Sequence, residues 1–176
     1  MGKIKNLQRI NTVFEPLSII RVRKKALLGI TLFFIISLAI GLRTYGLSWD
    51  QGYAYTPHPD ERAILMKVAE ISLPAAGNMT AIFDATISPL NPHWFAYGSF
   101  PIYLLKAAHY GYSIVLGVDL DDMRIIARTI SALADIGTLT LVYFLGSRIY
   151  GHREGIIGAL LVALAVLHIQ LSHYYA

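Results

Sequence analysis

The sequence predicts an all-α integral membrane protein, with three transmembrane helices and an outer loop that carries amphipathic juxtamembrane helices. Three observations predict it. Charged residues make up only 15% of the 176 residues, and the mean hydropathy is +0.52; a soluble domain carries about 25% charge. Long apolar runs begin near Ala26, Met123 and Glu154. Between the first two runs lie Pro57, Pro59, Pro74, Pro89 and Pro92, which argue against a further span there.

Residues 1–25 form a basic arm. Seven of the 15 Lys and Arg fall in it: Lys3, Lys5, Arg9, Arg21, Arg23, Lys24 and Lys25. A basic arm can bind nucleic acid, but here an apolar run follows at once. That order marks a cytoplasmic flank before a membrane span, with no nucleic-acid partner. The chain has no cysteine, so it has no disulfide framework and no thiolate metal site. Ala26 to Leu42 is uncharged throughout, longer than a usual signal core, and "GLRTYGLSW" is a poor cleavage site. The run therefore reads as an uncleaved signal anchor. The first span is assigned to residues 26–45, about 30 Å of helix. Arg43 snorkels and Tyr45 anchors at the outer interface.

The outer loop covers residues 46–122. A helix is predicted near 60–73, where Ile64, Leu65, Val68 and Ile71 share a face and Arg62, Lys67 and Glu70 stay polar. It is short and amphipathic, as a helix on a membrane surface is, and Pro74 and Gly77 end it. Residues 100–116, "FPIYLLKAAHYGYSIVL", are apolar enough to suggest a span. Crossing would put the acidic "GVDLDD" in the cytoplasm and the basic "GSRIYGHRE" outside, against the positive-inside bias. An interfacial helix is the preferred reading, with Lys106, His109, Tyr110 and Ser113 as its polar edge.

The second span is assigned to residues 123–150, a cytoplasmic turn to 151–153, and the third span to 154–172. Residues 173–176 emerge outside. Gly155, Gly158 and Ala159 give the third span a small-residue face for close packing. The protein is thus expected in the cell membrane as a multi-pass chain, its N-terminus cytoplasmic and the Asp60 loop on the outer face.

"YTPHPDERA" at residues 55–63 sets Asp60 beside Glu61. With His58 at the N-cap and Pro59 at N1, the two acids suit the first turn of a helix. They also suit catalysis, because a carboxylate held at the bilayer surface can take a proton from an acceptor hydroxyl. A divalent metal is a further option, with His58, Asp60, Glu61 and His93 as candidate ligands, although their spacing matches no fixed motif. In the second span, Arg124, Arg128, Ser131 and Asp135 fall on one face. Arg128 is a candidate phosphate ligand, because a guanidinium fork matches phosphate oxygens, and Lys106 can add a second positive charge. Arg124 belongs to the same basic set. Asp135 lies about 16 Å along the axis from Arg124. An ionisable group so deep is either functional or paired, with Arg128 the expected partner.

"HPDE" after the first span, then "NPHWFAYGSFPIYLLKAAHYGY" and the "ARTISALADIGTLTLVYFLGSRIYGHREG" run, resemble the N-terminal part of a membrane glycosyltransferase. The resemblance is to the dolichyl-phosphate-mannose–protein mannosyltransferase family and its prokaryotic relatives, including the aminoarabinose transferases that modify lipid A. It covers roughly residues 26–176. It implies transfer of a sugar from a polyprenyl-phosphate carrier to an acceptor protein, lipid or glycan, with inversion at the anomeric carbon. The family's key aspartate matches Asp60, its acidic neighbour Glu61, and its second-span arginine Arg128. The chain departs at "YGSFP", where some relatives carry a lysine or a second proline. Members of the family are much longer, so this chain is expected to be an N-terminal portion, inactive alone. Two other readings use the same residues: a non-enzymatic membrane module that binds lipid phosphate or a partner, and a transporter fragment.

Overall fold

The structure is a computed structural model that describes residue 22 and residues 25–74, 76–117 and 120–175. Within them the regular structure is entirely helical: α1 (Lys25–Thr44), α2 (Pro59–Glu70), a 3-10 helix (Ala76–Phe83), α3 (Phe100–Leu116), α4 (Leu120–Ile149), α5 (His152–Ala163) and α6 (Val166–Ser172). The basic arm, apart from Val22 and Lys25, lies outside the described residues. Two helices are long and apolar enough to cross a membrane: α1, and α4 over Met123–Ile149, with mean hydropathies of 2.2 and 1.5. α5 and α6 pass the same test only when taken together as one bent span, giving two spans or up to three.

In the stretch expected as a third span, 154–172, the helix starts at His152 and is broken in two. Leu164 caps α5, and Ala165 is extended, with ψ of 109°. No proline or glycine stands at the break. Beyond it the chain makes polar contacts. His173 Nε2 lies 2.8 Å from the Tyr45 carbonyl, and the Tyr175 hydroxyl donates to the Pro101 carbonyl at 2.7 Å. Burial pushes the Tyr175 phenol up to about 12.

The chain divides into two compact units, Met1–Ile40 with Thr138–Leu164, and Gly41–Gly137 with Ala165–Ala176. In the first, Ile35, Ala39, Leu139, Ala159 and Ala163 form the core. The small-residue face acts as its composition suggests. Gly155 is buried, and a Cβ added there would lie 2.2 Å from Ser147 Oγ and 2.7 Å from the Tyr143 carbonyl oxygen. α4 and α5 thus pack backbone to backbone at this point. Leu27, Phe33, Phe34, Leu145 and Leu161 remain exposed, an outward apolar surface that suits hydrocarbon.

The second unit is built on α2 against α3. Ile64, Leu65, Val68 and Ile71 meet Ile102 and Leu105, with Met123, Ala127 and Tyr175 closing the cluster. Each fully buried aliphatic side chain contributes about 1.5–3 kcal/mol. α2 starts as its sequence dictates. His58 is the N-cap, its Nδ1 accepting from the Glu61 N–H at 3.4 Å, Pro59 stands in the first turn, and both acids follow. It ends at Glu70, not at 73, because Ile71 turns extended to bury its side chain and the Ser72 N–H bonds the Pro89 carbonyl. α3 keeps the expected bounds and stops at Gly117, whose φ of 65° favours glycine. The expected polar edge of α3 is in part tied down. Lys106 Nζ donates to the Val68 carbonyl at 2.9 Å and sits 5.3 Å from the Tyr110 ring centre.

Candidate functional site

The site lies wholly within the second unit and centres on Arg128. After α1, residues 45–53 descend through successive turns, Trp49 N–H to Gly46 carbonyl, Gln51 to Ser48 and Tyr53 to Asp50. Gly46 and Gly52 take the positive φ values, 80° and 97°, that these reversals need. The turns hold Asp50 inward at 2% exposure. Opposite, the first turn of α2 turns Glu61 inward at 0%.

Arg128 joins them. Its Nη1 and Nη2 donate to the two Asp50 oxygens at 2.7 and 2.9 Å. Its Nε and Nη2 donate to the two Glu61 oxygens at 2.8 and 2.7 Å. A further Nη1 bond of 2.7 Å reaches the Leu47 carbonyl. All five N–H donors of the guanidinium therefore have partners, in two forks and one single bond. Trp49 lies over the group, 5.7 Å from ring centre to Cζ. Arg124 Nη1 adds a bond to Asp50 Oδ2 at 3.2 Å, so two arginines meet two carboxylates. The hydrogen bond from Arg128 holds the Asp50 carboxyl below its ordinary 3.8, with Arg128 and Arg124 charge adding to it against the opposing effect of burial.

The neighbouring acids are thereby separated. Glu61 is buried and doubly bound. Asp60, one residue earlier and half-buried, makes no ion pair among the described residues. Its neighbour is Tyr97, whose ionisation the Asp60 carboxylate pushes up. Tyr97 sits in the "YGSFP" stretch, which is shaped by Gly98 (φ 74°) and the Gly98 N–H to Phe95 carbonyl bond. His58 stacks on Tyr174, ring centres 4.3 Å apart. His93 is exposed in a different part of the loop. Among the described residues no three His, Asp or Glu converge as metal ligands, so His58, Asp60, Glu61 and His93 are not brought together.

Asp135 belongs to a separate constellation. Its expected partner was Arg128; instead it pairs with Arg43 and with His168, whose Nδ1 lies 2.6 Å from Oδ1. Arg43 does not snorkel to an interface. It is fully buried, and the Asp135 carboxylate compensates its charge there.

The sequence reading missed Asp50 and Tyr97. Asp50 did leave a trace: it is the one Asp, Glu, Lys or Arg between Arg43 and Asp60, in the otherwise uncharged "TYGLSWDQGYAYTPHP". Such an acid, close in sequence to a span, needs a basic partner. No family model, curated protein or solved structure matches this chain.

Proposed function

We propose that this chain is the N-terminal part of an inverting glycosyltransferase that moves a sugar from a polyprenyl-phosphate donor to an acceptor hydroxyl, with Asp60 as the base. The observation that carries this is the division of labour between adjacent acids. Glu61 is fixed by the Nε–Nη2 edge of Arg128, while Asp60, in the same helical turn, keeps a carboxylate in no ion pair among the described residues, with the Tyr97 hydroxyl beside it. A pinned acid next to an available one is how a base is placed accurately.

The acceptor oxygen attacks the anomeric carbon as the bond from that carbon to the phosphate oxygen breaks. The phosphate leaves with the electron pair, and the acceptor proton passes to Asp60. Arg128 acts as a positioning residue, since its donors already hold Glu61, Asp50 and Leu47. Lys106 and Arg124 stand at the Val68 carbonyl and at Asp50 respectively, each with one donor engaged there. The membrane orientation that fits is a cytoplasmic N-terminus, α1 passing outward, α3 in the interface and α4 returning, so that Asp60 faces outside.

The test is sugar transfer by Asp60→Asn in the longer enzyme that contains this segment. Loss of a general base lowers the rate by about 10²–10⁴-fold. Unchanged transfer by that variant, at normal protein levels, would remove Asp60 from the mechanism. If the segment belongs to no longer transferase, the reading falls as a whole.

A further inference from the structure

The far side of α2 holds a feature that sugar transfer does not use. A cavity of about 410 Å³ is lined by Tyr53, Tyr55, Arg62, Leu65, Met66 and Arg124, among others. Arg62 is exposed and has no carboxylate partner among the described residues. Its contacts are a 3.5 Å approach to the Thr56 carbonyl and the Tyr55 ring, 5.5 Å away. By contrast, the buried cluster below is balanced, with Arg124 and Arg128 against Asp50 and Glu61. Among the described residues, the cavity therefore carries a positive charge that no carboxylate in its walls offsets. Apart from Thr56 and the paired Arg124, the rest of the wall is tyrosine and apolar side chain, with Tyr53, Tyr55 and Met66 at 59%, 60% and 58% exposure. An anion attached to an apolar body fits such a site.

Helix geometry separates this cavity from Asp60. Successive residues turn by about 100°, which puts Arg62, Leu65, Met66 and Ala69 at roughly 140–240° around α2 from Asp60. A sugar held there could not present its anomeric carbon to the Asp60 carboxylate. The geometry points to a binding site for the phosphate head group of an anionic diacyl phospholipid, a resident lipid and not the sugar donor. Arg62 takes the phosphate, the tyrosine hydroxyls offer further donors, and Leu65, Met66 and Ala69 receive the first methylenes of an acyl chain. Arginine at a membrane surface characteristically serves this purpose.

The chain, purified in a non-ionic detergent, is titrated with phosphatidylglycerol and separately with phosphatidylcholine, and bound lipid is counted by native mass spectrometry. Phosphatidylglycerol is expected to bind about fivefold more tightly, the worth of one cation near a lipid phosphate. Arg62→Ala is expected to erase the preference and Arg62→Lys to keep most of it. Met66→Glu, which sets a carboxylate at the same opening, supplies the answer should Arg62→Ala not fold, and is expected to weaken phosphatidylglycerol binding alike. Equal binding of the two lipids, or a preference that survives both Arg62→Ala and Met66→Glu, overturns the proposal. So does displacement by glycerol phosphate at matched concentration, which would mark a site for free anions. Displacement by polyprenyl phosphate at far lower concentration than by phosphatidylglycerol would make the cavity a donor subsite instead.

Discussion

Arg128 makes the two acids at the start of α2 unequal, and the inequality is measurable. Glu61→Ala leaves a buried guanidinium short of two bonds and one charge, a change that costs about 3–5 kcal/mol. Asp60→Asn disturbs no ion pair among the described residues and is expected to stay within about 0.5 kcal/mol of the parent. Unfolding midpoints in detergent should therefore drop steeply for the first and hardly move for the second. Asp50 adds a pH signature. Arg128 holds its carboxyl below 3.8, so the stability it brings is fully present above that ordinary value and is lost as pH falls through the lowered one. The midpoint should hold steady down to about pH 5 and decline below about pH 4. Asp50→Asn should start from a lower midpoint and decline less steeply. The sequence made the pair Asp60 and Glu61 legible as a pair. It could not rank them, because neighbours on a helix point about 100° apart, and which one meets Arg128 is decided by how α2 docks.

Helices whose ends are set locally were the easiest to read. α3 runs from Phe100 to Leu116 as expected, because Pro101 opens it and Gly117 closes it. α2 begins where His58, Pro59 and the two acids say it should. What stayed hidden was tertiary in origin: the early end of α2, where Ile71 leaves the helix to reach the core, and the break at Leu164–Ala165, which no local residue announces. Asp135 shows the same limit. Its face on α4 is periodic and visible, but Arg43, 92 positions away, is not a partner that periodicity can find. The α4–α5 contact gives a prediction at this scale. A methyl at Gly155 meets the Tyr143 carbonyl at 2.7 Å and Ser147 Oγ at 2.2 Å, so Gly155→Ala forces the two backbones apart. Overpacking of that kind costs about 1–3 kcal/mol. At Gly158 the nearest atom is a Val142 methyl at 3.2 Å, the end of a side chain that can give way. Thermal unfolding should rank Gly155→Ala well below Gly158→Ala; equal midpoints would mean that the helices do not meet at Gly155.

For the whole molecule, the question with most consequence is which side of the membrane carries the Asp60 loop. α1 and α4 are long and apolar enough to cross, whereas α3 has 17 residues and is not among the helices that qualify. If α3 stays in the interface, α1 and α4 cross in opposite directions. Tyr55, in the loop after α1, then lies outside, and Arg153, at the start of α5, lies in the cytoplasm. If α3 crosses as well, both positions are outside. The basic residues favour the first arrangement, because Arg148 and Arg153 flank the α4–α5 turn and the positive-inside bias places such a turn in the cytoplasm. The chain contains no cysteine, so a single introduced thiol reports without background. Tyr55 is 60% exposed and Arg153 is also exposed, so both positions accept a reagent. In intact cells an impermeant maleimide should label Tyr55→Cys at once and Arg153→Cys only after the membrane is opened. Labelling of both in intact cells would make α3 a true span. Labelling of Arg153→Cys alone would invert the molecule and put Asp60 on the cytoplasmic side. Asp60 would then be out of reach of any acceptor on the outer face, and the proposed transfer would fail on topology even with the Arg128 cluster intact.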